Sequence, residues 1–352
     1  MTSFFLIALV SFFFTLRKRK DNEAIFDKAS TTALKGILCV FIMLHNLGLD
    51  FARNNELSRI IASHSGTVAV SMFFFLSGYG LLTAYKKKGP KFLLKLIFHN
   101  CLKLYLVAVF INTVEFLCFF RNNFETKDLL LRIFNLDLFN NFNRMNRHGW
   151  FIATILGLYV VFAVVFFVLS RFKFKKSIYV ATFIVVAIVV ALKIWSKIAD
   201  EGGMYTNGLP CFALGLLYSL YYDFVNKICK KGRIWIMIGC LIVSFISFFF
   251  LWGTLAGYLM NIFMIALSTK YRYDNKFTLF LGHISLGIYL WLHFSTLLLQ
   301  PLVNNVIYWV IGNTILILIL SILMHGIIDL FEVGINKFKN LFHKKSTLRA
   351  LK

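Results

Sequence analysis

The sequence has few of the charged residues with which a water-soluble domain covers its surface. Charged residues make up 15% of the 352 positions and hydrophobic residues 59%, whereas about a quarter of a soluble domain is charged. Acidic residues are the scarcest, because 15 Asp and Glu stand against 38 Lys and Arg. A surface with so few polar groups cannot face water on every side. These deficits exclude a soluble domain and indicate a chain embedded in lipid.

Residues spaced to bind a metal are also missing. The six cysteines show no CxxC pair and most of them lie inside apolar runs, so we predict neither disulfides nor a bound metal. The net charge of +23 would suggest nucleic acid in a soluble protein. Here the basic residues lie between apolar segments and indicate membrane topology, so we expect membrane lipid as a partner and no nucleic acid.

Long apolar runs are abundant instead. A bilayer core of about 30 Å requires about 20 apolar residues per helix. We therefore predict an all-α fold, a polytopic transmembrane bundle of ten core spans, of which the sixth and eighth are short enough to be tilted or broken. The predicted spans are 33–51, 67–84, 102–120, 149–170, 177–195, 208–222, 234–252, 254–269, 277–299 and 306–330.

The basic residues follow these spans in alternation. Roughly three quarters of the 38 Lys and Arg fall in one set of alternate loops, so the positive-inside rule places both ends of the core in the cytoplasm. Residues 1–16 form a further apolar run, which we interpret as a short extra spanning helix, with an interfacial helix as the alternative. We divide the chain into an anchor and basic linker (1–30), a membrane domain (31–330) and a basic cytoplasmic tail (331–352).

Two ionisable residues lie in the first core span, where such residues are functional candidates by default. Lys35 lies at its cytoplasmic mouth, and His45 lies ten residues further, about 15 Å deeper and near the bilayer centre. An imidazole can act as a general base near neutral pH. A neutral histidine hydrogen-bonded between helices is the alternative.

Several stretches, taken in order from about residue 31 to 330, resemble the acyltransferase 3 family of bacterial membrane acyltransferases. They are Lys35-Gly36 followed by His45, Phe73-Phe74-Phe75-Leu76-Ser77-Gly78-Tyr79, Trp150-Phe151-Ile152 with Leu158-Tyr159, Tyr205-Thr206-Asn207 with Phe212-Ala213-Leu214-Gly215, and the run from Leu281 to His293. The resemblance implies transfer of an acyl group, usually acetyl from acetyl-CoA, to a hydroxyl of a cell-surface glycan or lipid-linked sugar. It also implies the inner membrane of a bacterium, and acyl-CoA as a substrate in place of a permanently bound cofactor.

The resemblance further implies roles for the first span. His45 would deprotonate the acceptor hydroxyl, and Lys35 would hold negative charge on the donor or on a developing oxyanion. The chain departs from the usual spacing of the family, because Asn46 stands eleven residues after Lys35 and His45 lies about 80° around the helix from it. A rotation or opening of the helix would restore the register; otherwise the base is displaced.

A basic face follows the second span. Lys95, His99 and Lys103 are four residues apart and share one side of a helix, where the family often has an arginine cluster. These side chains are candidates for binding the phosphates of CoA. Topology charge facing anionic lipid is the alternative.

Further polar residues of the spans are candidates for lining an acceptor cavity, although helix packing, membrane anchoring and interhelical hydrogen bonds are open alternatives. They are Asn46, Ser77, Glu115, His148, Ser285, Tyr289 and His293. Glu115 could orient His45 or pair with a buried cation. Two other functions also stay open: a transporter or exporter of a glycan or small polar molecule, and an inactive relative that serves in a surface-polysaccharide assembly.

Overall fold

The computed structural model of the chain describes residues 16–20, 23–51, 56–120, 130, 133, 149–172, 176–199, 206–249, 253–303 and 305–350. This part of the chain is almost entirely helical. A short antiparallel pair of strands, β1 (Arg17–Lys18) and β2 (Tyr271–Arg272), is the exception. The helices are α1 (Lys28–Phe51), α2 (Glu56–Lys88), α3 (Lys91–Phe119), α4 (Gly149–Ser170), α5 (Ser177–Ile198), α6 (Leu209–Leu220), α7 (Tyr222–Phe249), α8 (Gly253–Ser268), α9 (Lys276–His283), α10 (Ser285–Leu299) and α11 (Val306–Ala350).

The all-α, polytopic membrane fold is confirmed, whereas the count of ten core spans is not. Within the described residues, six helices are long and apolar enough to cross a membrane, namely α1 to α5 and α11. The helices α9 and α10 reach that length only together, with a bend of 64° between them, and α6 and α8 are shorter apolar helices. Each of the ten predicted segments contains helix, but helix content alone does not make a span. The extra helix predicted over 1–16 lies almost entirely outside the described residues.

The first core helix begins five residues before its predicted start at residue 33. Asp27 caps it, because the backbone N–H of Ser30 donates to Oδ1 of Asp27 at 2.7 Å, which satisfies one of the free donors of the first turn. The side chain of Thr31 also donates to the backbone oxygen of Asp27 at 2.9 Å. Lys35 therefore lies about 10 Å along the helix from Lys28, and His45 about 25 Å.

Glycines set the closest helix crossings. A Cβ atom at Gly78 of α2 would overlap the backbone of Phe212 on α6, and one at Gly215 of α6 would lie 2.8 Å from the backbone nitrogen of Tyr79. The helices α1 and α9 cross in the same way, because a Cβ atom at Gly36 would lie 2.6 Å from the nitrogen of Gly282. Small residues that permit such close approach are the usual contact residues of helices in lipid.

Polar contacts join several segments at one end of the bundle, which we call the basic end. The ammonium group of Lys86, in the last turn of α2, donates to the carbonyl oxygen of Ser219 in the last turn of α6 at 2.5 Å. The backbone N–H of Ile25 donates to the hydroxyl of Tyr222 at 2.9 Å, and the strand pair lies beside them. The basic end thus brings together loops that the sequence analysis assigned to a common side of the membrane.

Candidate functional site

Lys35 is an exposed side chain within an otherwise buried part of α1. Its neighbours Leu34 and Gly36 are buried, and every other side chain from 29 to 48 is buried or half-buried. Many protein atoms surround Lys35, yet its own side chain keeps accessible surface. Lys35 is therefore the one exposed side chain between residues 29 and 48 of this helix.

Side-chain contacts lead from Lys35 to α10 and α4. Cys39 lies one turn further along α1, and its Sγ atom hydrogen-bonds to the carbonyl oxygen of Ser285 at 3.3 Å. Tyr289 lies one turn along α10, buried and within electrostatic range of the Cys39 thiol. Its ring contacts that of Phe151 on α4, with 5.2 Å between the centroids. The predicted residues Ser285 and Tyr289 therefore lie beside the stripe of α1 that carries Lys35.

Ser77 of α2 lies at the level of Lys35. The helices α1 and α2 are antiparallel, and His45 of α1 contacts Gly66 of α2. Lys35 precedes His45 by ten residues, so its level on α2 is ten residues after Gly66, at residue 76. The hydroxyl of Ser77 donates to the carbonyl oxygen one turn earlier at 2.9 Å, and the hydroxyl of Tyr159 on α4 lies beside it. We call Lys35, Ser77, Tyr159, Ser285 and Tyr289 the Lys35 layer.

His45 lies outside this layer. Its ring lies directly against Gly66 of α2, where a Cβ atom would come within 2.7 Å of the imidazole Nδ1. The helix α1 is continuous through both residues, so it does not open to align His45 with Lys35. Asn46 stays on the stripe of Lys35, and its amide donates to the carbonyl oxygen of Ile42 at 2.9 Å.

Glu115 and His293, which the sequence analysis treated separately, contact each other. Glu115 is fully buried where α3 changes to a π-helical turn, Phe116–Phe120. Its Oε2 atom lies 3.3 Å from Nδ1 of His293 on α10. His293 follows Tyr289 by one turn, so this carboxylate–imidazole pair lies one turn beyond the Lys35 layer on the same face of α10.

The basic face after α2 carries a carboxylate of its own. A π-helical turn, Leu96–Cys101, interrupts the regular spacing of Lys95, His99 and Lys103. The ammonium group of Lys103 forms an ion pair with Glu332 of α11, and all three cations lie within electrostatic range of that carboxylate. Lys95 is exposed and His99 is buried. A phosphate bound at Lys103 would therefore compete with Glu332.

The remaining candidate, His148, lies outside the described residues. Two residues near the site escaped the sequence reasoning, namely Gly66 and Cys39. For Gly66 the only signal in the sequence was its position between two small hydroxyl residues, Ser65 and Thr67, on an apolar helix. For Cys39 the signal was its spacing of four residues from Lys35.

Comparison with known families identifies the chain. The family model described as an acyltransferase domain matches residues 29–332, which is most of the chain and includes every element of the site described above. No curated protein and no solved structure gives a significant match.

Proposed function

Since this chain belongs to the acyltransferase domain family and is a membrane acyltransferase, we propose that it moves an acetyl group from acetyl-CoA to a hydroxyl of a cell-surface glycan or lipid-linked sugar. The proposal places the chain in the inner membrane of a bacterium, with the donor arriving at the basic end from the cytoplasm. The excess of Lys and Arg in one set of loops supports this orientation.

The observation that carries the proposal is the exposure of Lys35 within the bundle. An ammonium group within a membrane span is costly unless it has a task or a partner. Lys35 keeps accessible surface, and the Lys35 layer contains the hydroxyl groups of Ser77, Tyr159 and Tyr289 on neighbouring helices. Such a lining suits an acyl donor, whose thioester and amide oxygens accept hydrogen bonds from hydroxyl and ammonium groups.

The chemical step needs one base and one leaving group. The acceptor oxygen attacks the thioester carbonyl carbon, a C–O bond forms and the C–S bond breaks. The proton of the hydroxyl passes to the imidazole of His45, which returns it to the CoA thiolate as it leaves. The contact with Gly66 supports this role, because the absence of a side chain there makes room for the ring.

The distance between the two residues assigns them separate tasks. Ten residues of regular helix separate the Cα atoms of Lys35 and His45 by about 15 Å, so the two residues lie at different levels of the bundle. We assign Lys35 to the donor along its path from the basic end and His45 to the reacting atoms at the end of that path. This assignment does not require Lys35 and the histidine to share one stripe of the helix, as they do in many relatives.

The Glu115–His293 pair is a second imidazole that could serve as the base. A carboxylate beside an imidazole fixes its orientation and stabilises its charged form. Like His45, the pair lies beyond the Lys35 layer on the side away from the basic end. The proposal assigns the pair to the lining of the acceptor cavity.

Turnover of acetyl-CoA by the purified protein tests both assignments. We expect His45→Ala to abolish release of CoA to an added acceptor and Lys35→Met to raise the KM for the donor, with His293→Gln retaining measurable turnover. Equal expression and equal elution on size exclusion are the control for folding. Full turnover by His45→Ala would remove this residue from the mechanism.

Mass spectrometry of surface glycans from cells with and without the protein identifies the acceptor, and an unchanged glycan profile would contradict the proposed acceptor class.

A further inference from the structure

A cavity of about 310 Å³ opens at the basic end of the bundle, apart from the Lys35 layer. Three segments build its wall: the N-terminal segment with β1, the first half of α7, and the turn between α8 and β2. Among the described residues, six cationic side chains line it against one carboxylate, Glu23. The cations are Lys18, Arg19, Lys20, Lys230, Arg233 and Lys270.

Arg19 is the fixed part of this wall. Its guanidinium is buried and donates to the backbone oxygens of Ser268 at 2.8 Å and Ile25 at 2.6 Å, and also to that of Ala24. Its backbone N–H donates to the oxygen of Lys270 at 2.8 Å, which ties the N-terminal segment to the turn after α8. Burial, together with the neighbouring guanidinium of Arg272, lowers the pKa of Arg19.

The nearby carboxylates are engaged by Arg272, behind the cavity. Glu23, Asp27 and Asp274 lie 3.2, 2.8 and 2.6 Å from its guanidinium nitrogens. Glu23, the one carboxylate among the described residues of the wall, is thus already paired. The described part of the wall therefore has more cations than carboxylates, and the cavity is positively charged there.

We propose that this cavity is a binding site for clustered phosphate groups, carried by a soluble nucleotide or by the headgroup of an anionic phospholipid. Converging Lys and Arg side chains are the usual ligands of phosphate, and Arg adds a planar, forked donor. A volume of about 310 Å³ lies at the lower end of the range for small-molecule sites, which is about 300–1,000 Å³, and exceeds the needs of one small ion. The soluble-nucleotide source rests on the proposed function, since acetyl-CoA carries such phosphates, whereas the lipid source does not. Binding is measured without turnover, so the site and the proposed acyl transfer can fail separately.

The basic face of α3 is a weaker candidate for the same ligand. There Lys103 is paired with Glu332, and the three cations share that carboxylate. In the cavity, by contrast, Lys230 and Arg233 extend from α7 without a described ion pair to an acid, and Lys20 faces them from the N-terminal segment. A phosphate therefore gains more from the cavity than from the α3 face.

Binding by the full-length protein in zwitterionic detergent tests the site. The probes are adenosine 3′,5′-bisphosphate and phosphatidylglycerol, each titrated at low and high salt. The cavity variant is Lys230→Gln with Arg233→Gln. The matched control is Lys227→Gln with Lys231→Gln, which removes two charges from the same helix outside the cavity wall. Lys20→Gln, on the opposite wall, is an independent variant that leaves α7 unchanged.

We expect the cavity variant to weaken one of the two probes about tenfold or more, because two charge-assisted contacts are lost. The control should stay within about twofold, and Lys20→Gln should weaken the same probe. Loss confined to the bisphosphate identifies a soluble nucleotide, and loss confined to phosphatidylglycerol identifies a lipid headgroup. Equal loss in the cavity and control variants, or no loss in either, would overturn the proposal, since the cations would then act only as a diffuse field.

Discussion

The bundle contains two kinds of helix, and they differ in what surrounds them. In an apolar stretch of 18 residues, 56% of the residues are buried in α1 and in α2, against 22% in α5 and 17% in α11. The exposed residues of α5 and α11 are large and apolar, among them Phe183, Trp195, Ile319 and Leu323. Lys35, Ser77 and His45 of the candidate site lie on helices of the first kind, as do Gly36 and Gly78 at two of the closest crossings.

This difference shows that hydrophobicity does not decide which helices form the interior. Lipid is as apolar as leucine, so a leucine-rich face gains little by turning inward. The inner helices are instead marked by glycines that touch a neighbouring backbone and by polar side chains with partners on other helices. Gly36, Gly78, Gly215 and Gly282 belong to α1, α2, α6 and α9. The outer helix α11 has one such crossing with a neighbour, because a Cβ atom at Gly287 of α10 would lie 2.9 Å from the Cα atom of Ser321.

A bulky side chain at an inner crossing should break this distinction with the largest effect. In Gly78→Leu the new side chain would meet the backbone of α6 at once, where neither helix can yield, and overpacking of this kind costs about 3 kcal/mol or more. We expect little monodisperse protein and a large drop in melting temperature in detergent. The matched control is Gly157→Leu on α4, where no atom lies within 4 Å of an added Cβ. Equal losses of yield and melting temperature in both variants would show that the close crossing contributes no more to stability than an open position does.

Much of the fold was predictable from the sequence because lipid imposes a simple rule on apolar runs. Each of the ten predicted segments contains helix, and the family that the order of motifs suggested is the family of the chain. Helix ends were less predictable: the run starting at residue 33 extends back to the Asp27 cap, because the cap lies in a polar stretch that hydropathy does not register. The bend between α9 and α10 was missed as well, because the helix breaks at the apolar residue Ile284, which hydropathy does not distinguish from the rest of the run.

The site was predictable only as a set of residue types. Sequence spacing put Ser285, Tyr289 and His293 on one face of a helix, and the structure places that face beside α1 and α3. Spacing could not pair Glu115 with His293, because 178 residues separate them and their meeting depends on how α3 packs against α10. The contact of His45 with Gly66 is likewise a property of the antiparallel crossing of α1 and α2.

A smaller change at a crossing should separate chemistry from folding. In Gly66→Ala the added methyl group would lie within 2.7 Å of the His45 ring and displace it. If His45 handles the reacting atoms, a displacement of about 1 Å lowers kcat on the order of a hundredfold while the protein still folds. The measurement is steady-state turnover beside a melting curve, and Gly239→Ala on α7, where an added Cβ meets open space, is the control. Unchanged kcat in Gly66→Ala would show that this inner contact serves packing only.

The smallest expected effect concerns the polar contacts that hold the inner helices at the basic end. Arg272 donates to both carboxylate oxygens of Asp274, at 2.8 and 2.6 Å. Burial by itself would raise the pKa of Asp274, but the hydrogen bonds from Arg272, its own backbone and Arg17 outweigh burial and hold that pKa below its usual value. A lowered pKa adds stability at pH values above the unfolded pKa of about 3.9, and this stability is lost as the pH falls through the folded pKa.

We therefore expect Asp274→Asn to lower the free energy of unfolding at pH 7 by about 1–3 kcal/mol, the range for a hydrogen bond to a charged group. The difference in melting temperature between variant and wild type should shrink as the pH falls below about 4. Asp223→Asn, an exposed change on α7, should leave both values almost unchanged. A difference between Asp274→Asn and wild type that is the same at pH 7 and pH 3 would contradict the ionic origin of this contact.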